Sequence, residues 1–196
     1  SADITTYNNL LNSCYVSRNF ENAEKLAEEM FDFTSPVQAD ISSFNILLKG
    51  ISIKLDSAET EEEKKSLVDA QEKLFKDLFN HQGGLQPNDV TINTILDILI
   101  KGGQYKQAWD LFDSMEKTYN VSPDKYSYST IIKALKFDLD ATKLERAFGI
   151  IEYLKSQNTK LHDEIIFNCL IDVCFKLNSV DKAEKVFSEM REVGVS

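Results

Sequence analysis

Phe44-Asn45-Ile46-Leu47-Leu48 is one of five versions of a single phrase: an aromatic or apolar residue, usually Asn, then a short aliphatic run. The others are Tyr7-Asn8-Asn9-Leu10-Leu11, Ile92-Asn93-Thr94-Ile95-Leu96, Tyr128-Ser129-Thr130-Ile131-Ile132 and Phe167-Asn168-Cys169-Leu170-Ile171. They begin at 7, 44, 92, 128 and 167, so the spacings are 37, 48, 36 and 39 residues. A period in the thirties is what a helical repeat array produces, because each short unit must bury its apolar face against its neighbours.

A second phrase follows the first. Ala23, Ala108, Ala147 and Ala183 each open a stretch with apolar residues three and four apart, as in Ala183, Val186, Phe187 and Met190. That spacing lays one apolar stripe along an α-helix. Polar breaks such as Gly102-Gly103-Gln104 and Asn178-Ser179 separate the two helices, and Gly83-Gly84, Pro87-Asn88 and Pro123-Asp124 supply turns after the second. The units are therefore helix, turn, helix, turn. They fall at 4–40, 41–88, 89–124, 125–163 and 164–196, the last incomplete. The expected architecture is all-α: one array over 1–196, a right-handed superhelical solenoid of five helix pairs.

Composition agrees. Hydrophobic residues make up 42 % of the chain, enough for a continuous core between stacked pairs, and nothing alternates like a strand. Cys14, Cys169 and Cys174 are odd in number and have no Cys-x-x-Cys spacing, which argues against a disulfide framework and for a reducing compartment. No run approaches eighteen uncharged apolar residues, so no membrane span is expected. A start at Ser1 and a last unit without its closing Pro-Asp suggest part of a longer protein, with any targeting peptide outside it.

The wording of the phrases resembles the pentatricopeptide repeat family, whose unit runs roughly Val-Val-Thr-Tyr-Asn-Thr-Leu-Ile, a linker, an Ala-led helix ending Phe-x-x-Met, then Gly and Pro-Asp. Unit three matches best, with Asp89-Val90-Thr91-Ile92-Asn93-Thr94-Ile95-Leu96, Leu111-Phe112-Asp113-Ser114-Met115 and Pro123-Asp124. Unit five adds Ile166-Phe167-Asn168-Cys169-Leu170-Ile171 and Val186-Phe187-Ser188-Glu189-Met190. The tetratricopeptide unit fits less well, for no first helix carries its Trp-x-x-Leu-Gly opening.

The resemblance implies single-stranded RNA binding in mitochondria or plastids, one base per unit, read by a few side chains. In the family, the fifth and last residues of a unit read the base. The implied pairs are Asn8 with Asp40, Asn45 with Asn88, Asn93 with Asp124 and Ser129 with Asp163, while Asn168 has no partner within the chain. The family's base-packing position falls on Thr5, Ser42, Val90, Tyr126 and Ile165, of which only the last three are apolar or aromatic. By the family's code, Asn with Asp favours U, Asn with Asn a pyrimidine, and Ser with Asp G. Read from the RNA 5′ end, the core preference becomes U, pyrimidine, U, G.

Plainer roles compete. An Asp or Asn before a helix is a favoured N-cap, so capping and reading both stand for Asp40, Asn88, Asp124 and Asp163. Asn in the first turns of a helix costs about 0.5 kcal/mol relative to Ala. Four such residues in five units therefore suggest a demand other than stability, and Asn93→Ala is expected to spare the fold while weakening RNA binding.

Charge opposes RNA binding in sum. With 22 Lys plus Arg against 32 Asp plus Glu, the net charge is −10. The first helices nevertheless carry Lys49, Lys101, Lys125, Lys133, Lys136 and Lys176 against Asp89, Asp97, Glu164 and Asp172, a small positive excess. Two insertions break the period. Lys54 to Leu67, with Glu59, Glu61, Glu62 and Glu63, reads as a helix extension or exposed loop, or as a docking element for a protein partner. Asp138 to Thr142 is shorter. Nothing reads as catalytic, metal-binding or cofactor-binding, and no small-molecule substrate is implied. His81 and His162 lie in linkers without companion ligands. Three roles remain: an RNA-binding adaptor, a protein-binding scaffold, or the RNA-recognition arm of a larger enzyme such as a protein-only tRNA-processing nuclease.

Overall fold

The computed structural model describes residues 3–32, 37–80, 84–156 and 164–192, apart from the side chains at 155 and 165. His81 and His162 lie outside that set. Among the described residues there are ten α-helices and no strand: α1 Ile4–Val16, α2 Phe20–Phe31, α3 Ile41–Leu55, α4 Glu61–Asn80, α5 Asp89–Lys101, α6 Tyr105–Tyr119, α7 Lys125–Ala134, α8 Ala141–Ser156, α9 Glu164–Lys176 and α10 Val180–Glu192. No described helix is long and apolar enough to cross a membrane. The chain forms two compact units, Ser1–Ser122 and Pro123–Ser196.

In the first unit α1, α3 and α5 pack in succession, and each is paired with the helix that follows it. Phe44, Leu48, Ile92 and Leu96, from the recurring phrases of α3 and α5, are almost wholly buried. Gly50 lets α1 and α3 approach closely, for a Cβ there would meet the Tyr15 ring at 2.3 Å. The turn inside a pair places Arg18 and Gly103 at φ 57° and 73°. The N–H three residues past the helix closes back on it, from Asn19 to the Cys14 carbonyl at 2.8 Å and from Gln104 to that of Leu99 at 2.7 Å. In the second unit α9 packs against α7, α8 and α10, and the turn before α10 repeats this arrangement with Asn178 at φ 57°.

The second helices share one register. Buried pairs seven residues apart recur as Ala23 and Met30, Ala108 and Met115, Ala147 and Leu154, and Ala183 and Met190. In unit two the pair is Gln71 and Leu78, so a Gln stands where every other unit has Ala. Gln71 is only 3 % exposed, and its Oε1 has no hydrogen-bond partner among the described residues.

The long insertion is mostly helix. α3 runs to Leu55, residues 56–60 connect the helices, and α4 spends its first turn on the acidic run. Thr60 and Glu63 form a reciprocal capping box: the Glu63 N–H donates to Thr60 Oγ1 at 3.1 Å, and the Thr60 N–H donates to Glu63 Oε2 at 3.1 Å. Lys64 pairs with Glu61 at 2.6 Å. Two of the four acids are thus engaged by their own helix. Ahead of the shorter insertion α7 ends at Ala134, and Asp140 Oδ1 then accepts the Thr142 and Lys143 N–H groups at the start of α8.

Candidate nucleic-acid interface

The last residue of each unit caps the first helix of the next. Asp40, Asn88 and Asp124 all have extended backbones, and each Oδ1 accepts the N–H three residues on: Ser43 at 2.8 Å, Thr91 at 3.0 Å and Ser127 at 2.9 Å. The box closes in reverse, with the cap's own N–H donating to the Ser or Thr hydroxyl at 3.1 Å each time. Asp3 caps α1 through Thr6 in the same way, at 2.9 Å. Capping is therefore a settled role for Asp40, Asn88 and Asp124. Asp163 lies outside the described residues.

The fifth-position Asn reaches this box from the preceding unit. Asn8 Nδ2 donates to Asp40 Oδ1 at 3.2 Å, and the Ser43 hydroxyl donates to Asn8 Oδ1 at 2.8 Å. One unit along, Asn45 Nδ2 donates to Asn88 Oδ1 at 3.2 Å, and Thr91 Oγ donates to Asn45 Oδ1 at 2.7 Å. Asn8 is 91 % buried as a result. The expectation that stability makes no demand for Asn at this position is thus corrected at Asn8 and Asn45. The physical reason is a pair of bonds tying one unit to the next, which outweighs a small helix-propensity cost. Asn93 is half-buried, Ser129 is buried and Asn168 is exposed.

The hydroxyls at Ser43, Thr91 and Ser127 are the residues that sequence reasoning passed over. Their signal was present: a Ser or Thr stands three residues after every cap in the first four units, beginning with Thr6. The fifth unit has Ile166 at that place.

Asn8 with Asp40 and Asn45 with Asn88 each keep a defined set of unused hydrogen-bonding atoms. Asp40 Oδ1 accepts Ser43 N–H and Asn8 Nδ2, and neither bond engages Oδ2. Asn8 keeps one amide N–H. That pair presents a donor beside an acceptor. In the next pair, Asn88 Oδ1 is filled by Thr91 and Asn45, so Asn88 keeps its NH2 and Asn45 one N–H. That pair presents donors only. Burial raises the Asp40 pKa, but bonds from Ser43, Asn8 and the Ser42 N–H outweigh it, holding the carboxyl below 3.8 and ionised at neutral pH.

Thr5, Ser42, Val90 and Tyr126 are all exposed, Val90 by 51 % and Tyr126 by 75 %. The Ile165 side chain lies outside the described residues. Lys125, Tyr126, Ser129, Thr130 and Lys133 line a shallow cleft of about 280 Å³ along α7. From Lys125 to Phe137 there are three Lys and no acid. Lys101 contacts Asp56 at 2.8 Å, Asp97 at 3.0 Å and Ser52 at 2.8 Å, Lys176 pairs with Asp172 at 2.9 Å, and Lys49 reaches Asn12 at 3.4 Å. Desolvation acts to lower the Lys101 pKa, but its two carboxylates overcome this and raise it. The three cysteines are free, Cys14 half-buried and the others buried, and burial pushes Cys169 up to about 11. No metal-binding cluster of His, Cys, Asp or Glu occurs among the described residues.

Comparison with known proteins matches the repeats to two models. The one described as the PPR repeat family covers residues 87–136, and the one described as the PPR repeat covers residues 5–33 and 165–195, together more than half of the chain. A chloroplastic pentatricopeptide repeat-containing protein of Arabidopsis thaliana is 26 % identical over 192 residues, covering 98 % of this chain. This chain spans only 22 % of that relative's length. Among solved structures, maize PPR10 superposes with a TM-score of 0.68 at 18 % identity, over 98 % of this chain and 25 % of its own. The PPR domain of Arabidopsis thaliana protein-only RNase P 1, solved in complex with tRNA, gives 0.69 at 18 % identity, over 94 % of this chain and 87 % of that one.

Proposed function

The chain belongs to the pentatricopeptide repeat family, and on that premise we propose that it is a non-catalytic RNA-binding adaptor whose units each read one base of a single strand. The observation that carries the reading is the pair of hydrogen-bonded couples, Asn8 with Asp40 and Asn45 with Asn88, each with specific atoms left unpaired. A donor beside an acceptor complements U, which offers a carbonyl next to N3–H. A donors-only pair complements C, whose N3 and O2 both accept, while the N3–H of U opposes it. The preference becomes U, then C, with Asn93 and Asp124 assigned U, and Ser129 and Asp163 assigned G, by the family's code.

Exposed Val90 and Tyr126 supply apolar and aromatic surfaces for base packing, and Tyr126 is the strongest of them. The lysines of α7 supply local positive charge in a chain of net −10. Organellar RNA is the natural target class, since the relative above is named as chloroplastic. The acidic insertion supports a solvated helix start better than a protein-docking element, because Glu63 caps its own helix and Glu61 pairs with Lys64. An RNA-recognition arm of a larger nuclease is favoured only by the likeness to the RNase P 1 domain and uses the same surface.

The test is fluorescence anisotropy of the chain against poly-U, poly-C, poly-A and a U-C-U-G core, at low and physiological salt. Tightest binding to the mixed core, weakening as salt rises, is expected. Tighter binding to poly-A than to poly-U rejects the assignment.

A further inference from the structure

Thr91 is neither of the two residues assigned to read the second base, yet it determines which atoms they have to offer. Its hydroxyl lies 2.7 Å from Asn45 Oδ1 and 2.9 Å from Asn88 Oδ1, and its backbone N–H lies 3.0 Å from that same Asn88 oxygen. Thr91 is fully buried. A carboxamide can turn over at little cost unless its neighbours distinguish oxygen from nitrogen. Here two donors of Thr91 do so: the N–H fixes Asn88 Oδ1 inward, and the hydroxyl fixes Asn45 Oδ1 inward. Only N–H groups are left for a base. Ser43 does the same to Asn8, its hydroxyl donating to Asn8 Oδ1 at 2.8 Å.

We propose that the buried hydroxyls of Ser43 and Thr91, three residues after their caps, are specificity-determining groups of the preceding unit, acting as latches that set the amide orientation of the reading Asn. This rests on the reading proposed above. The chain carries an internal correlation in its favour. The three units that read with Asn8, Asn45 and Asn93 are followed by Ser43, Thr91 and Ser127, while the unit that reads with Ser129 is followed by Ile166. A Ser reader has no amide to orient and needs no latch.

The decisive variant is Thr91→Val, which removes the hydroxyl, keeps the shape and retains the N–H that holds Asn88. Thr91→Ser is the conservative control. The chain and both variants are titrated with two RNAs that differ only at the second base of the core, U-C-U-G and U-U-U-G, and the ratio of the two affinities is read. A loss of fold stability lowers both affinities together and leaves the ratio unmoved. Wild type is expected to favour C. Thr91→Val is expected to cut that preference about fivefold, the worth of one hydrogen bond, because Asn45 can then turn its oxygen to the N3–H of U. Thr91→Ser is expected to restore it.

A wild-type preference that survives Thr91→Val overturns the latch and leaves the base reading intact. A wild-type chain indifferent to the second base overturns the reading and the latch with it. If Thr91→Val does not fold, Ser43→Ala against Ser43→Thr, with U and C exchanged at the first base, puts the same question to Asn8.

Discussion

Asn8→Ala and Asn168→Ala make the same chemical change at the same repeat position, and the structure assigns them opposite signs. Asn8 is 9 % exposed and makes two side-chain bonds into the next unit, at 3.2 Å to Asp40 and 2.8 Å from Ser43. Each is worth about 1 kcal/mol net. Their loss orphans nothing, since Ser43 and Asp40 remain bonded to each other at 3.0 Å, so no extra desolvation penalty arises. Ala returns about 0.5 kcal/mol of helix propensity. The balance is a loss of about 1.5 kcal/mol, or a Tm lower by roughly 3–6 °C for a domain of this size. Asn168 is exposed in α9, so Ala there should be neutral or stabilising by about 0.5 kcal/mol. Urea denaturation followed by circular dichroism gives both values. An Asn8→Ala chain as stable as wild type, or two variants shifted by the same amount, would refute the inter-unit joint.

Three further outcomes are expected. Gly50→Ala should destabilise by about 2 kcal/mol despite its better helix propensity, because the new Cβ lands 2.3–2.6 Å from three atoms of the buried Tyr15 ring; a thermal melt showing stabilisation would contradict the close approach of α1 and α3. Gln71→Met should raise stability by about 1 kcal/mol, since it keeps the volume and removes a buried oxygen without a partner, as urea midpoints would show. Asp40 has a depressed pKa, so its contribution is complete above about pH 3.8 and disappears as pH falls through the lower folded value. Asp40→Asn, a cap of equal quality, should remove that part of the acid slope in a Tm-against-pH series.

The sequence carried the helical repeat legibly because its signals are local and recurrent: the apolar phrase five times, the Ala-led stripe four times and a Pro-Asn or Pro-Asp turn twice, each within a few residues. The caps were legible for the same reason. What could not be read was the bond from Asn8 to Ser43, whose partners lie 35 residues apart and meet only once α1 and α3 pack. Without that contact, a helical Asn looked like a cost. Gln71 escaped because unit two has no Ala-led stretch to mark the register of its second helix. The Thr60-x-x-Glu63 box was visible in principle, but the run of acids around it read as a solvated face. On the surface, exposure at Tyr126 followed from its repeat position, whereas the pairing that occupies Lys101 depends on Asp56, a residue in the turn beyond α3.

One consequence links the fold to the proposed code. An N-cap needs one oxygen directed at the third N–H, and Asp and Asn supply it about equally well. Asp40 and Asn88 confirm the equivalence, with the same box and near-identical cap backbones. Only the second terminal atom differs, an acceptor in Asp and a donor in Asn, and it is the atom left unpaired. Folding is therefore nearly indifferent to a choice that, on the proposed reading, decides between U and C. The fifth residue has no such freedom where it bridges to the next cap, since Ala gives up both bonds and Asp cannot donate one. A repeat joint built this way can change its base preference at the cap while the bonds holding consecutive units together stay in place.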